Sequence, residues 1–182
     1  MKYSHEIDGW FNYAGVYDFL IDQCPASGVF IECGAWLGKS SSYLIDKALN
    51  KNIDVTIIDS WKGSINELQT TQNIATQMDI YEVFLNNMGN RKYESMKALS
   101  YEASLHFDNE SCDVVFIDME HTYNAVKNDI ELWLPKVKTG GYLAGHDYSN
   151  DWLGVIQAVD EKLGKDNIRI QDTCWIYKKE SL

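Results

Sequence analysis

The sequence predicts an α/β protein with a doubly wound, mostly parallel sheet. Three observations carry that prediction: short apolar runs that stop on an acid or glycine, amphipathic helical stretches alternating with them, and a length of 182 residues that suits one domain spanning 1–182. GVFIECG (28–34), IDVTIID (53–59) and DVVFID (113–118) are apolar almost throughout, as strands covered on both faces are.

Residues 10–22 place Phe11, Ala14, Tyr17 and Ile21 at helical spacing behind an acidic entry at Asp8, and Pro25 and Gly28 end this first helix. After strand 28–34, Ser40, Ser41 and Ser42 open a helix that turns Leu44, Ile45, Ala48 and Leu49 inward. Strand 53–59 follows. Residues 62–92, rich in Asn, Gln and Thr, are too long for a bare crossover, yet Ile74, Met78, Tyr81, Leu85 and Met88 recur at helical spacing before Gly89 and Asn90. This inserted polar segment is expected to carry a helix over the sheet's carboxyl edge, as a lid or as ordinary packing. A strand near 94–99 and strand 113–118 come next. Val126, Ile130, Trp133 and Leu134 mark a helix halted by Pro135, and GGYLAGHD (140–147) is the following strand. Leu153, Ile156, Val159 and Leu163 mark the last helix, and IRIQDTCWIYKK (168–179) reads as two strands around a turn at Asp172.

Twenty-seven acids against sixteen bases leave a net charge of −11, which disfavours nucleic acid as a partner. The opening MKYSHEIDGWFNYAG has no signal-peptide pattern and no apolar run reaches the roughly 18 residues of a spanning helix, so a cytoplasmic chain without a membrane partner is expected. Cys24, Cys33, Cys112 and Cys174 lie far apart without a CxxC pair and are expected to be reduced, buried thiols.

In such a sheet ligands bind beyond the carboxyl ends of the strands. Those ends carry Glu32 with Gly34, then Asp59, Asp118, and His146 with Asp147. Any one acid alone would also serve as a helix N-cap, but four strands aiming acids at one crevice exceed what a core needs. Glu32, Gly34, Gly38 and Ser40 form ExGxxxGxS, in which glycine admits a ligand to the backbone and the next helix offers free N–H groups to an anion. Trp36 replaces the middle glycine of a dinucleotide GxGxxG loop, so a smaller anion such as an amino-acid carboxylate fits better. Asp59, ending the second strand, can accept both hydroxyls of a ribose. Carboxylate plus ribose suggests an amino-acid nucleoside.

FIECGAWLGKSSSYL, TIIDSW and FIDMEHTYNAVKNDIELWLPKVKTGGYLAGHDY, within residues 28–148, resemble class I S-adenosylmethionine-dependent methyltransferases of the group related to macrocin O-methyltransferase and cephalosporin hydroxylase. The loop ECGAWLGKS is also similar to that of catechol O-methyltransferase. The resemblance implies a Rossmann-like fold of seven strands with a C-terminal antiparallel strand. It implies S-adenosylmethionine as cofactor, with Gly34, Trp36 and Ser40 around its methionine part, Glu32 beneath them, Asp59 on the ribose, and Ser100 and Tyr101 beside the adenine. It makes Asp118, His146 and Asp147 ligands for magnesium or manganese, with iron left open by the histidine. Asp118 borders the cofactor as well, and shares the catalytic role with His121, which would be the general base because a histidine near pKa 6.5 accepts protons at neutral pH. Met119 and Glu120 stand where the group usually has a glycine and a small or acidic residue, and methionine resists positive φ, so this loop is expected to take another path and move His121.

The implied reaction is methyl transfer to a hydroxyl of a small molecule, with a sugar suggested by the polar segment and by Trp61, Tyr81 and Tyr123. A cofactor-binding or regulatory subunit, and a metal-dependent hydroxylase, are the alternatives. Aromatic residues of the first helix also leave room for a homodimer.

Overall fold

The structure, a computed structural model, describes residues 1–64 and 71–181. A 3-10 turn at Ser4–Glu6 precedes α1 (Ala14–Gln23), β1 (Val29–Cys33), α2 (Lys39–Ala48) and β2 (Asp54–Asp59). Then come α3 (Thr71–Gln77), α4 (Ile80–Met88), β3 (Glu94–Lys97), α5 (Ser100–Ser104) and β4 (Cys112–Ile117). The chain finishes with α6 (Tyr123–Trp133), β5 (Val137–Gly145), α7 (Leu153–Leu163), β6 (Ile168–Gln171) and β7 (Cys174–Lys178).

These strands form one sheet in the order β3-β2-β1-β4-β5-β7-β6. Pairing is parallel from β3 through β5, and β7 runs antiparallel to both β5 and β6. The seven-stranded, mostly parallel sheet with a C-terminal antiparallel strand is thus the one expected. Because β2 and β4 flank β1 and lead the chain in opposite directions, a crevice opens above the carboxyl ends of β1 and β4.

Both faces are covered. One layer buries Tyr17, Leu20, Leu44, Phe84 and Met88 against Phe30 and Phe116 of the sheet, and the other buries Val126, Ile130, Trp133 and Val159 against Val115 and Trp175. Every residue of β4 is buried, which explains its unbroken apolar run. All four cysteines are free and buried. Among the described residues no helix is long and apolar enough to cross a membrane.

Two expectations are corrected. Helix α1 begins at Ala14, so Asp8 is not its entry, and Phe11 lies outside it with its ring against Tyr13, Tyr17 and Tyr43 at 4.9–5.3 Å. The inserted helix is two helices, because the Asp79 carboxylate accepts the amides of Tyr81 and Glu82 at 3.1 and 3.2 Å and starts α4 afresh. The new phase buries Ile80, Phe84 and Met88 and leaves Ile74 and Met78 exposed, so one continuous stripe from 74 to 88 does not exist. Residues 65–70 of that segment lie outside the described residues.

Candidate active site

The loop after β1 doubles back onto the start of the turn after β4. Asp118 N donates to Cys33 O at 2.7 Å, and Gly34, at φ +98°, lies so close that a Cβ there would fall on the Asp118 carbonyl oxygen. Trp36 is also left-handed, at φ +48°, a conformation L side chains enter at a cost of about 1–2 kcal/mol. Asp59 compensates: its Oδ2 accepts from Ala35 N and Trp36 N at 2.8 and 2.9 Å, and its Oδ1 from Trp61 N at 2.6 Å. Burial raises the Asp59 pKa while these amides oppose the rise. The carboxylate expected to hold a ribose is therefore the brace of the loop as well, with the Trp61 indole adding a 2.9 Å bond to Trp36 O.

Glu32 lies directly below. It is fully buried, accepts the Tyr17 hydroxyl at 2.6 Å and the Ser41 hydroxyl, and does not line the cavity. It acts on the loop by fixing α2 and α1 beneath it. Burial pushes its carboxyl from 4.5 up to about 7, against the hydroxyl bonds. Below pH 4.5 Glu32 is protonated whether the chain is folded or not. As pH rises towards 7 the unfolded chain gives up this proton first, so stability falls, and above 7 the full penalty of about 3 kcal/mol applies. Glu32→Gln is expected to remove that decline: the stability difference, variant minus wild type, should grow by about 3 kcal/mol between pH 4 and pH 8 in urea titrations. A difference independent of pH would contradict it.

Above the loop is a cavity of about 1630 Å³. Gly34, Trp36, Ser40, Asp59, Ser100 and Tyr101 line it, together with Asp118, His121, His146 and Asp147. The sequence-predicted site residues other than Glu32 thus meet in one space, larger than the roughly 300–1,000 Å³ of a single small-molecule pocket. Lys39 and Ser40 bring the N-terminus of α2, with its free amides, to the same wall.

At one end two carboxylates and two imidazoles converge. His121 Nε2 lies 2.8 Å from Asp147 Oδ2 and 3.7 Å from Asp118 Oδ1, and His146 Nδ1 lies 3.3 Å from Asp147 Oδ2 and 3.7 Å from Asp118 Oδ2. Burial opposes charge on all four groups, yet their mutual bonds and charges prevail: His121 is raised to about 10, His146 to about 9, and both carboxyls are held below their usual range. The expectation of a histidine near 6.5 does not hold here, because two carboxylates keep the imidazole proton in place.

The residues expected as ligands, Asp118, His146 and Asp147, lie together, and His121 stands beside the same two carboxylates. Among the described residues, ligand atoms of Asp118, His121 and Asp147 lie within 4.8 Å of one another, while His146 Nε2 is 3.0 Å from Thr173 Oγ1. Met119 does not take a positive φ, so the loop after β4 delivers His121 to the cluster without the glycine.

Sequence reasoning missed the groups that hold this cluster. Tyr13 donates its hydroxyl to Asp118 Oδ2 at 2.9 Å and tilts over the His146 ring at 4.3 Å, and Trp152 covers His121 at 4.3 Å. The aromatics offered as sugar contacts are elsewhere: Trp61 is buried against Tyr81 and Phe84, and the Tyr123 hydroxyl donates to Glu161 at 2.6 Å. Trp10, Trp36 and Trp152 line the cavity instead.

Sheet order, the glycine loop and acids at or just beyond the ends of β1, β2, β4 and β5 together fit the class I methyltransferase architecture. Residues 31–148 match a family model described as a methyltransferase domain, which spans most of the chain. The chain belongs to this family and is a class I S-adenosylmethionine-dependent methyltransferase. It is similar in fold to the O-methyltransferase NovP, with a TM-score of 0.68 at 16% identity over 92% of this chain and 79% of NovP. CalS11, a TDP-rhamnose 3'-O-methyltransferase of calicheamicin biosynthesis, gives 0.63 at 14% identity over 91% of this chain and 77% of its own. PaMTH1 of Podospora anserina, a methyltransferase solved with S-adenosylhomocysteine bound, gives 0.58 at 12% over 92% and 77%. No curated protein matches the chain by sequence.

Proposed function

We propose that the protein transfers the methyl group of S-adenosylmethionine to a hydroxyl of a small molecule. The observation that carries this reading is a single cavity with an anion-accepting glycine loop and helix terminus on one wall and the His–Asp cluster at one end. S-adenosylmethionine supplies an electrophilic methyl on a sulfonium. Ala35 and Trp36 are held rigid by Asp59, and the α2 N-terminus with Lys39 suits the cofactor's carboxylate. Trp10, Trp36 and Trp152 give the acceptor flat apolar walls, which support a sugar or other polyhydroxyl compound. The net charge of −11 supports a small molecule over a nucleic acid.

In this reading His121 takes the acceptor's proton in its neutral form, which needs a cation on Asp118 and Asp147 to lift their hold on the imidazole proton. Asp118 and Asp147, with His146 or, where it is not the base, His121 supplying a nitrogen, would suit a divalent cation and favour manganese or iron over magnesium. Such a cation would acidify a bound hydroxyl and weaken the carboxylates' hold on the imidazole protons.

Calorimetry with S-adenosylmethionine and S-adenosylhomocysteine, with and without Mn²⁺ or Mg²⁺, tests the reading. Saturable binding of both is expected, with Mn²⁺ binding lost in Asp118→Ala. A folded protein that binds neither compound would overturn the proposal, and a product that gains oxygen in place of methyl would assign the site to hydroxylation.

A further inference from the structure

The hairpin that joins β6 to β7 has two central residues, because Gln171 pairs with Cys174, and both are left-handed: Asp172 at φ +49° and Thr173 at φ +62°. Hairpins of this kind favour Asn-Gly or Asp-Gly, since glycine alone takes the second positive φ without strain. The first position complies and the second does not. Among the described residues Thr173 is the one β-branched residue with a positive φ, a conformation that persists only where something offsets its strain.

The Thr173 side chain lines the cavity and meets the His146 ring. Its hydroxyl donates to Asp172 O at 2.6 Å, which uses the single hydrogen it has, so the oxygen is an acceptor towards His146 Nε2, 3.0 Å away. Nε2 therefore carries hydrogen. Nδ1 is the ring atom turned to the carboxylates, 3.3 Å from Asp147 Oδ2 and 3.7 Å from Asp118 Oδ2. Tyr13 tilts over the ring at 4.3 Å but fixes only its plane, because a half-turn about the Cβ–Cγ bond keeps the plane and swaps the edges. The Thr173 hydroxyl distinguishes the two edges. We propose that Thr173 is a positioning residue, kept in a strained turn so that its hydroxyl fixes the orientation and the Nε2 hydrogen of His146. That the fixed Nδ1 serves a cation shared with Asp118 and Asp147 rests on the proposed function, and it assigns the base to His121.

Wild type, Thr173→Gly and Thr173→Ser are compared. Glycine removes both the strain and the hydroxyl, whereas serine removes the β-branch and keeps the hydroxyl. The backbone bond from Tyr148 N to Thr173 O, at 2.9 Å, is available to all three. Thr173→Gly should melt roughly 2–4 °C above wild type. In nuclear magnetic resonance of ¹⁵N-histidine-labelled protein without metal, wild type and Thr173→Ser should show a hydrogen-bonded His146 Nε2–H, identified by its disappearance in His146→Gln, and Thr173→Gly should lose it. Mn²⁺ affinity by calorimetry should fall about 10–100-fold in Thr173→Gly, the loss expected when the partner behind a ligand is removed, and stay within a few-fold of wild type in Thr173→Ser. A glycine variant that melts no higher than wild type, or that keeps the bonded Nε2–H, overturns the assignment. If folded wild type binds no Mn²⁺ the cation reading fails instead, and the melts with the His146 signal still decide the role of Thr173.

Discussion

Replacing His121 by alanine is expected to lower turnover by about 10²–10⁴-fold, the usual worth of a positioned proton acceptor, while S-adenosylmethionine affinity stays within a few-fold. The split follows from geometry. His121 is bonded to Asp147 and covered by Trp152, whereas the glycine loop is braced separately by Asp59. Alanine removes the ring and leaves Asp118 and Asp147 facing each other with His146 still beside both. The vacated volume is that of an imidazole, so added imidazole should restore part of the activity, which a purely structural role for His121 would not allow. The assay is S-adenosylhomocysteine release with an acceptor taken from a screen of sugars and phenols. Turnover equal to wild type would remove His121 from the reaction. A parallel Mn²⁺ titration separates its two roles: lost turnover with retained Mn²⁺ affinity marks the base, and loss of both marks a ligand.

Much of this site was readable because the chemistry sits on strand ends. Apolar runs closing on Glu32, Asp59, Asp118 and His146 announce themselves, and the parallel sheet brings them together whatever the intervening segments do. The supporting groups were not readable for the opposite reason. Tyr13 comes from an irregular segment before α1, Trp152 from the approach to α7 and Thr173 from the β6–β7 turn, and no local spacing ties them to the cluster. The division of 74–88 into two helices turned on Asp79, whose capping role was hidden inside a stripe that looked continuous.

Gly34→Ala is expected to be the most damaging small substitution in the protein, lowering stability by about 3 kcal/mol or more and cofactor affinity by at least tenfold. Two effects add. A φ of +98° strains any L residue, and the new methyl would occupy the position of the Asp118 carbonyl oxygen, a backbone atom that no rotamer change can move aside. Relief requires separating β1's loop from the turn after β4, which displaces Ala35 and Trp36 on one side and Asp118 on the other. Gly140→Ala isolates the first effect, because Gly140 is left-handed at φ +82° with nothing within 4 Å of its Cβ. It should cost only the backbone strain, about 1 kcal/mol, and leave binding untouched. Thermal melts should therefore fall by roughly 6–12 °C for Gly34→Ala and by a third of that for Gly140→Ala. If the two variants lost the same stability and both bound S-adenosylhomocysteine like wild type, the close approach of this loop to Asp118 would not be what shapes the cofactor wall.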